Sequence, residues 1–226
     1  DGVYGPTRAF CDGMLARMGV ETTYFDPLRP IDGLLRPNTR VVFCEAPSSL
    51  TFEMTDIPAL AKAAHAAGAV VLHDSTWASP IGMRSFALGI DVSIHAGTKY
   101  VVGHSDSMMG LICCSEATFL PVKDAASGLG QCAGPDDCYL ALRGLRTMPV
   151  RMRAHHEAGL KVADWLATRP EVRRVLHPAR PDDPGHALWK RDFSLACGLF
   201  GLILEPTPRA ALAAMVDGMG LWRMGY

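Results

Sequence analysis

Asp74 closes a five-residue apolar run, Ala69–His73 (AVVLH). A carboxylate in that position is poorly solvated unless a partner takes its charge. It is either a cap or turn residue for the next segment, or the counter-charge of a cationic ligand such as a protonated pyridine nitrogen. Lys99 comes after a second such run, in Ile94-His95-Ala96-Gly97-Thr98-Lys99-Tyr100. It is either a solvated end residue or an amine near a dry strand end, with a lowered pKa and the capacity to form a Schiff base. Gly97 and Thr98 could offer a backbone N–H and a hydroxyl to a phosphate. Twenty-five residues separate Asp74 from Lys99, enough for one crossover, which would bring both to the same edge of a sheet. Tyr4 precedes Gly5 and Pro6 at a helix start. It is either a packed or surface aromatic, or a ring stacked on a flat cofactor with its hydroxyl toward the substrate.

Other candidates weigh less. His155, His156 and Glu157 lie on a helical stretch where sequence neighbours point apart, which disfavours a metal site. Gly103-His104-Ser105-Asp106 holds Ser, His and Asp, but adjacency in sequence is not triad geometry, and the segment reads as a loop. Arg143, Arg146, Arg151 and Arg153 belong to a domain or subunit interface or face water. Seven cysteines are scattered among apolar neighbours with no C-x-x-C pair, and read as reduced core thiols of a cytosolic protein.

The elements that must position these residues can be read from periodicity. Thr7–Met18 sets Phe10, Met14, Leu15 and Met18 at three-to-four spacing, with Gly19 as a stop. Glu21–Phe25 has β character. Arg40–Cys44 (RVVFC) runs into Glu45, and a helix starts at Asp56 and Pro58 and ends near Gly68. Ala69–His73, Asp91–His95 and Met108–Cys114 complete a set of short apolar strands. Such strands, alternating with amphipathic helices, predict a mainly parallel α/β sheet covered on both faces. Ligand sites of these sheets lie beyond the carboxyl strand ends, where Glu45, Asp74 and the Thr98–Lys99 pair stand. Asp136–Ala167 reads as one long helix, kinked or broken at Pro149 and ended at Pro170. A Pro/Gly/Asp-rich connector comes next, then a strand at Leu199–Leu204 and a helix over Pro208–Val216 capped by Thr207. A domain boundary falls inside the long helix, near Leu145–Pro149.

Composition bounds the rest. In 226 residues, 22 Lys and Arg face 23 Asp and Glu, and 49% are hydrophobic. That excludes general disorder and gives no long-range field for nucleic acid or an acidic membrane. No apolar run approaches the roughly 20 residues that span a bilayer. No G-x-G-x-x-G comes after a strand, which weakens a nucleotide-binding reading. The start at Asp1 without Met, and the end at Tyr226 without a stop signal, suggest a fragment or an ordered part of a longer chain.

Asp74-Ser75-Thr76-Trp77-Ala78, Ser93-Ile94-His95-Ala96-Gly97-Thr98-Lys99-Tyr100 and Gly103-His104-Ser105-Asp106 together resemble the Cys/Met-metabolism family of pyridoxal-5′-phosphate enzymes, over essentially the whole chain from Tyr4 to Tyr226. Trp77, Leu188–Phe193 and Gly144-Leu145-Arg146-Thr147 look most like its bacterial cystathionine β-lyase branch. The resemblance implies an aspartate-aminotransferase-like large domain over 1–147 that lacks its N-terminal part. It implies a linker helix and the start of a smaller α+β C-terminal domain over 148–226. Lys99 would hold pyridoxal phosphate as a Schiff base and move protons, Asp74 would pair with the ring nitrogen, and Tyr4 would stack on the ring and take part in proton transfer. Thr98 and Thr76 would contact the cofactor. Gly97 stands where many relatives have Ser, Ser75 replaces the usual Asn, and Ser49 stands where several relatives have Asn near the ring oxygen.

The implied activity is cleavage of cystathionine to homocysteine, pyruvate and ammonia, in methionine biosynthesis. A γ-lyase or γ-synthase of the same family, or an inactive cofactor-free fragment, stands as the alternative. A sulfur amino acid is the implied substrate, with neither nucleic acid nor membrane as partner. A cytoplasmic homotetramer with sites shared between subunits is the implied assembly. The family's Gly-rich phosphate-binding turn and Tyr-x-Arg segment would precede Asp1. Its Ser-Trp-Gly-Gly continuation and carboxylate-binding arginine would come after Tyr226.

Overall fold

The computed structural model describes residues 2–221. Asp1 and residues 222–226, including Tyr226 where the second expected domain ends, lie outside the described residues.

The first layer is a four-stranded sheet in the order β1 (Val41–Glu45), β2 (Val70–Asp74), β3 (Val92–Ala96), β4 (Gly110–Cys114). β1, β2 and β3 run parallel, with Glu45 opposite Asp74 and Asp74 opposite Ile94. β4 is antiparallel to β3, with Ala96 opposite Gly110. All three parallel strands therefore end at one edge, and β4 starts there. The period-two alternation is visible in burial. Val42, Cys44, Val71, His73, Ser93 and His95 are buried on one face, while Phe43, Glu45, Leu72, Asp74, Ile94 and Ala96 on the other are half-buried, with Val92 at the start of β3 the buried exception there. One face is thus fully covered, and the other, which carries the acids, is partly open. The outer strand β4 is also more exposed than its apolar sequence predicts, with Ile112 53% exposed and Cys113 exposed.

Between β1 and β2 runs an α-helix (Ile57–Ala66) whose buried positions Ile57, Leu60, Ala61 and Ala64 recur at helical spacing and join the core around Val42, Cys44 and Val71. Asp56 caps it by accepting the Ala59 N–H at 3.2 Å. Counting from the start of the chain, α1 is Gly5–Phe10, continued by a π-helical turn over Cys11–Leu15, and α2 is the crossover helix. The short α3 spans Ser79–Gly82, α4 Glu116–Gly128, and α5 Pro135–Ala167. A second, two-stranded antiparallel sheet joins β5 (Val172–Leu176) to β6 (Gly201–Leu204), with α6 (His186–Asp192) between them and α7 (Arg209–Asp217) after.

Four sequence expectations change. Glu21–Phe25 is not part of either described sheet; it carries a Glu21–Arg36 ion pair and the Tyr24 ring under the Arg8 guanidinium. α5 runs unbroken through Pro149, because Met148 and Met152 beside it are buried in the core. Thr207 does not cap α7; its hydroxyl donates to the Glu205 carbonyl and Pro208 takes the cap position. Of the cysteines, Cys44 and Cys197 are buried, whereas Cys113, Cys132 and Cys138 are exposed. Among the described residues no helix is long and apolar enough to cross a membrane.

Candidate active site

The carboxyl edge of the parallel strands gathers most of the candidates. Asp74 is the last residue of β2, half-buried, and its Oδ1 accepts the Thr76 N–H at 2.9 Å. That bond turns the chain back at the strand end. Ser75 N–H then donates to the Ile94 carbonyl at 2.7 Å, and the Thr76 hydroxyl accepts the Ala96 N–H at 2.8 Å. The Asp74–Thr76 turn is therefore stitched to the end of β3, three residues before Lys99. Since Thr76 uses its oxygen as an acceptor there, its own O–H remains a donor.

Lys99 lies in the turn that leaves β3. Its N–H donates to the Ala96 carbonyl at 2.9 Å, and its carbonyl accepts from Gly103 N–H at 2.8 Å. The side chain is exposed, and neither Lys99 nor Asp74 makes an ion pair with another described residue. The turn is fixed from behind by α5. A Cβ on Gly144 would lie 2.1 Å from the Val101 carbonyl oxygen, so the helix meets this backbone with no side chain between. Arg151 donates to the Tyr100 carbonyl at 2.9 Å and to that of Gly144 at 2.8 Å, and Arg143 pairs with Asp106. Both arginines, whose placement the sequence left open, thus brace the loop after Lys99. Gly103, at φ +73°, and Ser105, at φ 56°, make that loop's turns.

Thr98 and Gly97 look toward β4. The Thr98 N–H donates to the Met109 carbonyl at 3.0 Å, and its hydroxyl accepts the Met109 N–H at 2.9 Å. The Thr98 hydroxyl is thus engaged with the start of the antiparallel strand. Gly97 is buried, and a Cβ there would lie 2.9 Å from Leu111 Cδ1 and 3.1 Å from Met109 Cγ, which gives a packing reason for glycine where Ser was expected.

Tyr4 comes to the same edge from the other side. Its N–H donates to Glu45 Oε2 at 2.9 Å, its carbonyl accepts the first α1 amides, and its side chain is exposed. Ser49 donates its hydroxyl to Glu45 Oε1. The sequence places Glu45 at a carboxyl strand end beside Asp74 but assigns it no role and gives no sign of its bond to Tyr4. Burial pushes its carboxyl up to about 7, with the nearby Asp74 charge adding to the rise against hydrogen bonds from Ser49 and Tyr4. Two carboxyls in register on neighbouring strands, with no basic partner among the described residues, make an edge that favours a cation. An aromatic cation whose ring nitrogen meets Asp74 and whose aldehyde meets Lys99 fits that donor set.

The sheet's covered face carries a polar seam. The Ala46 N–H donates to His73 Nε2 at 3.2 Å, so the ring's Nδ1–H points to Ser75 Oγ at 2.8 Å. Ser75, Ser85, Ser93 and His95 continue the chain at 2.8–3.2 Å. Burial drives the His73 pKa down to about 3, so the ring stays neutral. The seam ties β1, β2 and β3 together just below the carboxyl edge. Of the other candidates, His156 accepts the Ala196 N–H at 3.1 Å, and His155 packs edge-on to Tyr100. Trp77 and Phe193, from two segments that carried the finer resemblance, pack with ring centroids 6.1 Å apart.

Residues 1–226 match the family of Cys/Met metabolism PLP-dependent enzymes. The chain is 43% identical to cystathionine beta-lyase MetC of Escherichia coli over 228 residues, 99% of this chain and 58% of that protein. It is 34% identical to cystathionine gamma-lyase of Homo sapiens over 211 residues, 92% of this chain and 52% of that protein. The crystal structure of cystathionine gamma-lyase from Lactobacillus plantarum complexed with L-serine superposes with a TM-score of 0.87 at 28% identity, over 90% of this chain and 54% of that one. The chain spans a little over half the length of each of these relatives.

Proposed function

Since this chain belongs to the Cys/Met metabolism PLP-dependent enzyme family, we propose that it acts as a carbon–sulfur β-lyase on cystathionine, with Lys99 and Asp74 at the centre of the site. The observation that carries this reading is the shared strand edge: Asp74 ends β2, Lys99 lies just past β3, and the Ala96 N–H to Thr76 hydroxyl bond links the two turns at 2.8 Å. Pyridoxal phosphate, when bound, supplies the electron sink that stabilises a carbanion at the substrate α-carbon.

The chain's own groups do the rest. Lys99 Nζ would hold the cofactor through its aldehyde, and as a free amine it would take the substrate α-proton. Asp74 would hold the cofactor at its ring nitrogen, where a carboxylate favours the protonated ring. Tyr4 would stack on the cofactor ring, and Thr76 and Ser49 would contact the cofactor. With the α-proton on Lys99, the bond from the β-carbon to sulfur would break with its electron pair on sulfur, and the Lys99 ammonium would return the proton there, so that homocysteine leaves as its thiol. Water completes the cleavage to pyruvate and ammonia. Exposed apolar positions on α1 and its continuation, Phe10, Met14 and Met18, support a homo-oligomer.

Incubating the protein with pyridoxal phosphate and L-cystathionine tests the reaction. β-Cleavage yields pyruvate and homocysteine in equal amounts. Formation of 2-oxobutyrate and cysteine instead would support the γ-lyase reading, which the likeness to cystathionine gamma-lyases keeps as the alternative. Lys99→Ala is expected to lower turnover by on the order of 10³-fold or more; a variant with wild-type turnover would remove Lys99 from the mechanism.

A further inference from the structure

Tyr4 is 52% exposed, so side-chain packing does not fix its place. Its backbone does. The Tyr4 N–H ends on Glu45 Oε2 at 2.9 Å, while the Tyr4 carbonyl accepts Thr7 N–H at 2.9 Å and Arg8 N–H at 3.2 Å, starting α1. The second Glu45 oxygen holds the Ser49 hydroxyl. Ser49 N–H in turn donates to the Gly2 carbonyl at 2.7 Å. A Cβ on Gly2 would sit 2.3 Å from Ser48 Cβ, so the 2–4 segment lies directly on the loop after β1. One carboxylate at a strand end thus gathers two separate stretches of chain, and one of them carries the proposed stacking ring.

We propose that Glu45 is a positioning residue: it clips Tyr4 and Ser49 to the carboxyl edge beside Asp74, and so holds the ring and the hydroxyl where they meet the cofactor. The proposal rests on the functional reading above, because it assigns the clip to that site. Glu45 touches neither substrate nor cofactor in this scheme; it acts through the residues it holds. The groups facing it are the Asp74 carboxylate from β2, the Ser49 hydroxyl from the loop after β1, and Tyr4 from the start of α1. Its raised pKa fits a half-buried acid that accepts neutral donors and has no basic partner among the described residues.

Two variants separate the clip from generic stability. In Glu45→Gln the amide oxygen can still accept the Tyr4 N–H while the amide N–H₂ faces the Ser49 oxygen, so the clip survives without charge. In Glu45→Ala both bonds are lost. Amide hydrogen exchange over residues 2–8 of the cofactor-free protein is the first readout. Exchange at Tyr4 is expected to rise about tenfold or more in Glu45→Ala and to return most of the way to wild type in Glu45→Gln. The second readout is titration with pyridoxal phosphate, monitored by its absorbance. Affinity is expected to fall about tenfold in Glu45→Ala and to be largely rescued in Glu45→Gln. Unchanged exchange at Tyr4 in a folded Glu45→Ala variant overturns the clip. Increased exchange with unchanged cofactor affinity overturns its role in the site. A wild-type protein that takes up no cofactor overturns the functional reading instead, and the exchange experiment still judges the clip.

Discussion

Glu45 and Asp74 stand in register on neighbouring parallel strands, and burial makes the charge of Glu45 depend on pH near neutrality. The Glu45 carboxyl is raised to about 7, mainly by burial, so between its ordinary value of 4.5 and about 7 the folded protein holds a proton that the unfolded chain has released. Stability contributed by that proton is lost as pH rises through this window. His73, lowered to about 3 by burial, and His177, lowered to about 4, act the other way: below about 6.5 the unfolded chain binds protons that the fold excludes, so stability falls as pH falls. Urea denaturation of the cofactor-free protein from pH 4.5 to 8 is expected to show Glu45→Gln gaining on wild type as pH rises to about 7, then running parallel to it. A stability difference constant across this range would show that Glu45 ionises normally. Asp74 and Lys99 were legible as candidates because each lies at or just past the end of an apolar run. Glu45 ends one too, but its partner Tyr4 lies 41 residues earlier, and no local spacing announces that bond.

At the scale of elements, the turn after β3 takes its shape from α5. Gly144 lets the helix touch the Val101–Val102 carbonyls, and Arg151 ties Tyr100 to it. Gly144→Ala adds a Cβ 2.1 Å from a backbone oxygen, so the helix or the turn must shift. A loss of about 1–3 kcal/mol is expected in chemical denaturation, with weaker cofactor uptake because the displaced turn carries Lys99. Full stability in that variant would mean that the contact is loose. The crossover helix and the strands β1, β2 and β3 were readable from apolar runs, the Asp56 cap and terminal polar residues. β5 was not, because its sequence VRRVL places two arginines in the strand, where they face outward. Glu21–Phe25 had strand character, but the described sheets do not include it, and only tertiary structure decides that. Pro149 pointed to a break, but the buried Met148 and Met152 hold the helix against the core on both sides of it.

Across the whole molecule, the sheet edge is tied to the second, two-stranded unit. Trp77, three residues beyond Asp74, donates its indole N–H to the Leu199 carbonyl at 2.9 Å. Met83 bridges to Phe193, and Ser194 N–H donates to the Gly82 carbonyl at 2.8 Å. Trp77→Phe keeps the ring against Phe193 and His177 but leaves the Leu199 carbonyl without this donor, and is expected to cost about 1 kcal/mol in thermal or chemical unfolding. No loss would mean that water replaces the indole without penalty. Trp77 and Leu188–Phe193 enter the family resemblance as separate sequence features; in the fold Trp77 and Phe193 are one contact, which neither segment reveals by itself.

The proposed chemistry needs one particular amine among five lysines, Lys62, Lys99, Lys123, Lys161 and Lys190. Borohydride reduction in the presence of one equivalent of pyridoxal phosphate, with peptide mass spectrometry afterwards, reads directly which of them holds the cofactor. The expected result is a pyridoxyl adduct on Lys99, abolished when Asp74→Asn weakens the site. An adduct spread evenly over the other lysines, or one absent from Lys99, would contradict it.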